Sequence, residues 1–207
     1  MKNTVILLLS ALFIAGSFSG CKKGENDPFL SLRSRKSRLE GNWVIVKEEV
    51  SETNINGSTT EIMQSVYDGK MKVTTTTTTA GALSTTVIDT VKYTVNFDIK
   101  KDGNYKMIAA NENKIDIVTT EGTWLFLGKS KLNGLKNKEA ILLTTTKQVV
   151  SSNPVANSVN YENLNGLTIV IDALKNKEMM TIVEENSSNE DGLTSSKKLA
   201  KTTYSHP

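Results

Sequence analysis

The side chains able to do chemistry in this 207-residue chain are few and poorly placed for it. There is one cysteine, Cys21, and one histidine, His206, at opposite ends of the sequence. His206 stands next to the last residue, where chain ends fray. A Ser-His-Asp or Cys-His set needs a histidine held within hydrogen-bond reach of its nucleophile, so neither is expected here. The run Asn186 to Asp191 is acidic and amide-rich, but it lacks the ordered oxygen-ligand spacing of a calcium loop and reads as a solvated turn. Asp89 and Asp172 interrupt apolar stretches. Asp89 falls on the apolar side of its strand, where it either lines a cavity or, the reading preferred, sits at a wet rim. Glycine-rich phosphate loops are absent. The chemistry points away from an enzyme and calls for no cofactor and no metal.

Large apolar residues at strand spacing are the remaining material for a site. They are Trp43 and Ile45 on a first strand, then Tyr93, Val95 and Phe97. Tyr105 stands on the strand that returns from these, and Trp124 and Phe126 follow on a later one. Residues two apart on a strand share a face, so each group can point inward together. They either pack into a dry core or line a pocket for a small hydrophobic ligand. A barrel of about eight strands permits both, its interior being just filled by side chains or able to hold one small molecule.

The elements that must position them are organised around Val87 to Ala109. Val87, Val91, Tyr93, Val95, Phe97 and Ile99 alternate with Thr90, Lys92, Thr94, Asn96, Asp98 and Lys100, the period of a half-buried strand. Asp102-Gly103 turns the chain back through Tyr105 and Met107. Such a hairpin needs further strands to cover its apolar face. Gly41-Asn42-Trp43 opens the first strand, and Ser51 to Gly57 reads as turn. Thr59 to Tyr67 and Lys70 to Thr79 are the next strands, the latter ending in six threonines, Thr74 to Thr79. Ile115 to Leu127 is another. K-N-K-E precedes an apolar run at Lys136 and again at Lys175, each read as a tight turn before a strand. Ser151 to Asn165 reads as a long polar connection, Leu167 to Ile171 as a buried strand and Asn186 to Gly192 as a loop. Leu193 to Tyr204 is the closing strand. The sum is an all-β fold, an antiparallel up-and-down β-barrel of about eight to ten strands with a short N-terminal helix around Leu32 to Leu39.

Residues 1–20 read as a leader. Lys2 is followed by an apolar run from Val5 to Phe18, short for a membrane span and suited to a secretory signal. Small residues Ser19 and Gly20 directly precede Cys21, as in bacterial lipoprotein signals. Cleavage there would leave Cys21 as the lipid-bearing first residue, with residues 21–30 as a polar tether and 31–207 as one domain. The alternative is an ordinary secretory signal with a stray cysteine. Lipidation makes a membrane the expected partner, through acyl chains such as palmitate. All the arginines lie between Arg33 and Arg38. That cluster could rest on anionic head groups, or its stems could cover apolar surface at the barrel end, the reading preferred. The formal net charge of +3 is too small to suggest nucleic acid as a partner.

The layout resembles a known family. A short helical segment followed by G-x-W on the first strand is similar to lipocalins. The whole order of pieces resembles the lipocalin-like lipoproteins of Bacteroidetes-type bacteria: the cysteine tether, D-P-F-L-S-L-R-S-R-K-S-R-L-E-G-N-W, V-N-F-D-I-K-K-D-G-N-Y-K, E-G-T-W-L-F and the two L-K-N-K-E turns. The resemblance implies a calycin-like barrel, lipid-anchored in the cell envelope at the outer membrane, that holds a small hydrophobic ligand. A sealed barrel docking onto an envelope protein complex is the alternative. The family's arginine on the last strand, stacked on the G-x-W tryptophan, has no counterpart, because no arginine follows Arg38. Arg35 or Arg38, or else Lys197 or Lys201, is the expected substitute over Trp43.

Overall fold

Alternating apolar and polar residues become strands along nearly the whole chain. In the computed structural model, residues 34–112, 116–129, 138–152, 155–160, 166–189 and 193–207 are described, 155–160 as backbone only. The leader, Cys21 and the tether lie outside the described residues. One short helix, α1 (Arg35–Leu39), precedes β1 (Gly41–Asn56), β2 (Thr59–Tyr67), β3 (Met71–Ala80), β4 (Leu83–Ile99) and β5 (Asn104–Asn111). There follow β6 (Asp116–Lys129), β7 (Glu139–Ser152), β8 (Val155–Asn160), β9 (Gly166–Leu174), β10 (Glu178–Ser188) and β11 (Thr194–Ser205).

All pairings are antiparallel. The order β6-β5-β4-β3-β2-β1-β11-β10-β9-β7 closes on itself through β6–β7, a ring of ten strands, with β8 added to the upper part of β7. Closure satisfies the backbone groups that open edges would leave exposed. The ring is narrower at its base. There Gly41 to Val44 of β1 pair directly with Ile99 to Asn96 of β4, beneath the ends of β2 and β3. Ten strands less that hairpin leave eight at the base.

The organising hairpin forms as expected. Asp102 Oδ1 accepts the Asn104 amide at 3.0 Å, and Gly103 takes a φ of 89°, a conformation open to glycine at little cost. Tyr93, Val95, Phe97 and Ile99 turn inward, with Val95, Phe97 and Ile99 buried. The apolar face does not continue to Val87. Above Tyr93, β4 leaves β5 and pairs with β3 alone among the described residues. Leu83, Val87 and Ile88 are accordingly 78%, 61% and 67% exposed.

Three stretches read as loop or turn are strand instead. Ser51 to Asn56 extend β1 because β2 and β11 pair both of its edges. Val155 to Asn160 form β8 against β7, at the end of the strand order, where polar residues are tolerated. Asn186 to Ser188 extend β10 against β11. The six threonines form the body of β3, alternating between the inner and outer faces, as an ordinary solvated strand would.

The helix closes the base. Ser34 Oγ caps it by accepting the Ser37 amide at 3.1 Å. Leu39 is fully buried, and Arg38 Nη1 donates to the Leu174 carbonyl at 2.6 Å. The arginine stem thus covers apolar surface at the barrel end.

Candidate ligand cavity

The base of the barrel is a dry plug of aromatic side chains. Trp43, Phe97, Tyr105 and Trp124 are each no more than 5% exposed. Phe97 meets Tyr105 edge-on at 5.9 Å between centroids, and its centroid lies 6.0 Å from that of Tyr204. Buried indoles need a partner for their N–H. Trp43 Nε1 donates to the Leu39 carbonyl and Trp124 Nε1 to the Lys100 carbonyl, both at 2.8 Å. Lys36 of α1 places its ammonium 5.5 Å from the Trp124 ring centre.

The place over Trp43 is taken by His206. The rings stack at 3.8 Å, 28° from parallel. His206 Nδ1 donates to the Asn42 carbonyl at 2.8 Å, and its amide donates to the Lys177 carbonyl at 3.1 Å. These contacts overturn the expectation of a frayed histidine. They also replace the expected substitutes: Arg38 is committed to Leu174, while Lys197 and Lys201 pair opposite Thr53 and Glu49, farther up β1. The side chain of Arg35 lies outside the described residues.

Above the plug the barrel is hollow. A cavity of about 560 Å³ opens among β1, β2, β3, β4, β5, β7, β9, β10 and β11. Ile45, Tyr93, Val95 and Phe97 line it, as the strand spacing allowed. Trp43, Tyr105 and Trp124 belong instead to the packed base, and Phe126 packs against that core while partly buried. The eight residues therefore divide between the two readings of the interior. Met63, Met107, Leu143, Leu167, Ile169 and Val183 complete the apolar wall. Their strands alternate as well, but face alone does not tell wall from plug.

A polar group occupies one side of the cavity. Lys72 Nζ lies 2.9 Å from Glu48 Oε2 and 4.7 Å from the Tyr93 ring centre. Ser65 and Thr74 hydroxyls are 2.6 Å apart beside them. Burial, and after it the nearby Glu48 carboxylate, pushes the Tyr93 phenol up to about 12. The same two causes, in the same order, raise Tyr204, against hydrogen bonds with Thr202 and Thr181. Both phenols are protonated near neutral pH and can donate hydrogen bonds into the cavity. The sequence pattern did not reveal this group, since it depends on the register that the Asp68-Gly69 turn sets between β2 and β3.

The other polar residues lie outside the cavity wall. Asp89 is exposed on the upper part of β4, as a rim position requires. Asp172 is held by Lys138. No group of three or more metal-ligating side chains occurs among the described residues.

No protein-family model, curated protein or solved structure matches this chain.

Proposed function

We propose that the protein is a lipid-anchored carrier of the cell envelope that holds one small hydrophobic molecule inside its barrel. The cavity carries this reading. Its volume, about 560 Å³, falls within the range of about 300–1,000 Å³ common to small-molecule sites, and apolar walls with a few convergent polar groups are the usual composition of such sites. Attachment rests on Cys21 after Ser19 and Gly20, and on the apolar run before them. The resemblance to lipocalin-like lipoproteins supports the same location and use.

Native mass spectrometry of protein extracted from its host membrane tests the reading. One apolar adduct per chain is the expected result, exchangeable for the neutral dye N-phenyl-1-naphthylamine. A barrel that carries no compound and takes up no dye would remove the carrier reading.

A second reading draws on a different observation, the upper part of β4. It carries exposed Leu83, Val87 and Ile88 and has one edge without a partner strand among the described residues. Such an edge can take an added strand from another protein. In this reading the protein is an interaction module docking onto an envelope complex. Pull-down from detergent-solubilised membranes tests it, and loss of all co-purifying protein would count against it.

A further inference from the structure

The inward faces of the upper strands carry more acid than base. In an antiparallel sheet, directly paired residues share a face, so register identifies what the cavity and its mouth present. Lys72 and Lys198 are the only cations among the described inward positions of the upper parts of β1, β2, β3, β4, β10 and β11. Both are already paired. Lys72 lies against Glu48 at 2.9 Å, and Lys198 lies 3.4 Å from Glu185. Glu52 is the carboxylate left over. It stands directly opposite Lys198 on β11 and Met63 on β2, lines the cavity, and receives a hydrogen bond from the Asn54 side-chain amide at 3.0 Å. Glu52, Lys198 and Glu185 thus form a row of two acids flanking one base across β1, β11 and β10. Nearer the mouth, Glu61, opposite Asn54, shares the inward side and adds further negative charge.

A ligand entering this cavity buries its body against Val95, Phe97, Met107 and Ile169 and leaves its head near that row. A carboxylate head would meet a surplus of negative charge, with Lys72 and Lys198 already committed. An ammonium head would find Glu52 without a cation and could share Glu185 with Lys198. Partial burial strengthens both the attraction and the repulsion relative to open water. We infer that the cavity selects cationic amphiphiles, molecules with an apolar body and a primary amine head, over fatty acids of the same length. This rests on the carrier reading and names its ligand class.

The test is competition against bound N-phenyl-1-naphthylamine on the full mature protein extracted in mild detergent. Dodecylamine, dodecanol and dodecanoate are compared below their micelle-forming concentrations, so that chain length is constant and only the head changes. Dodecylamine is expected to displace the dye at a concentration at least about tenfold lower than dodecanoate, with dodecanol between them, a ratio that combines the attraction gained by the amine with the repulsion felt by the carboxylate. Glu52→Gln removes the surplus charge, and Glu185→Gln frees Lys198 to pair with Glu52. Each should shrink the amine-to-carboxylate ratio. Glu49→Gln, on the outer face of the same strand, should leave it in place. Dye displaced equally by the three heads, or best by dodecanoate, overturns the inference while leaving a carrier. Failure of the protein to bind the dye or any of the three overturns the carrier reading and this inference with it. Far-ultraviolet circular dichroism confirms that each variant keeps its strands. If one glutamine variant does not fold, the other still decides.

Discussion

His206 lies flat on Trp43, 3.8 Å between ring centres, at the base of the barrel. The contact joins the last strand to the first by a side chain as well as by backbone. Gly41 makes room for it: with φ at 139°, a Cβ there would fall 2.6 Å from His206 Cε1. The closure of the fold therefore depends on the penultimate residue and on a glycine two positions before the tryptophan.

His206→Ala should lower stability by about 1–2 kcal/mol, the size of a stacked aromatic contact with its hydrogen bond. Gly41→Ala should cost at least as much, since it adds backbone strain and displaces the same ring. The two losses should not add, because both remove one contact. Urea titrations followed by tryptophan emission measure both single variants and the double variant. An unchanged midpoint for His206→Ala would contradict the closure role.

Ala200→Phe should abolish dye binding while leaving the fold intact. Ala200 lies in the cavity wall on β11, 8% exposed, and a benzyl group there would project into empty space. Filling a void avoids the overpacking penalty that a dense core imposes. Dye titration and thermal melting check the two halves of this expectation. Full retention of binding would place the dye elsewhere.

Alkaline pH should weaken the barrel in a defined window. Burial first, then Glu48, holds the Tyr93 phenol at about 12, above the ordinary tyrosine value of about 10. The folded chain thus keeps a proton that the unfolded chain releases. Stability from this source is whole below about pH 10 and falls as pH rises through about 12. Tyr204 shifts in the same direction and adds to the decline. Urea midpoints measured at steps across that window, with tyrosinate absorbance as a second signal, test it. A flat midpoint would sink the prediction.

Leu83→Lys with Val87→Lys should change stability by no more than about 0.5 kcal/mol, as exposed positions usually do. The same pair should reduce recovery of any protein docked on the upper β4 edge, because lysines discourage strand addition. Quantitative pull-down against the parent chain measures it. Equal recovery from both would move the docking surface away from β4.

Cys21→Ser should shift the protein from the membrane pellet to the soluble fraction. Acyl chains supply the anchoring in the proposed location, and a single hydroxyl cannot carry them. Retention in the pellet would end the lipoprotein reading.

Much of the architecture was legible because strand period is a local property. The alternation from Tyr93 to Ile99 predicted their inward direction, and Asp102-Gly103 predicted the turn. Val87 shows the limit. Period tells which side a residue faces, whereas burial depends on whether a distant strand stands opposite, and β5 ends too soon. The site was half legible for a related reason. Trp43 and Phe97 have the same local signature, yet one packs in the plug while the other also faces the hollow. Lys72 and Glu48 were missed because they are 24 positions apart in sequence and meet only through the register of two turns. His206 was misjudged from its place at the chain end; its stacking partner lies on the first strand.

The direct pairing of Gly41 to Val44 with Asn96 to Ile99 separates the vessel into two units of construction. Its lower courses already meet without the β2–β3 ribbon, so that ribbon is an inserted collar raising one side. Lengthening, trimming or exchanging the collar would resize the entrance while the floor stays sealed. A lineage could in this way retune what is admitted without rebuilding the part that makes the container hold together.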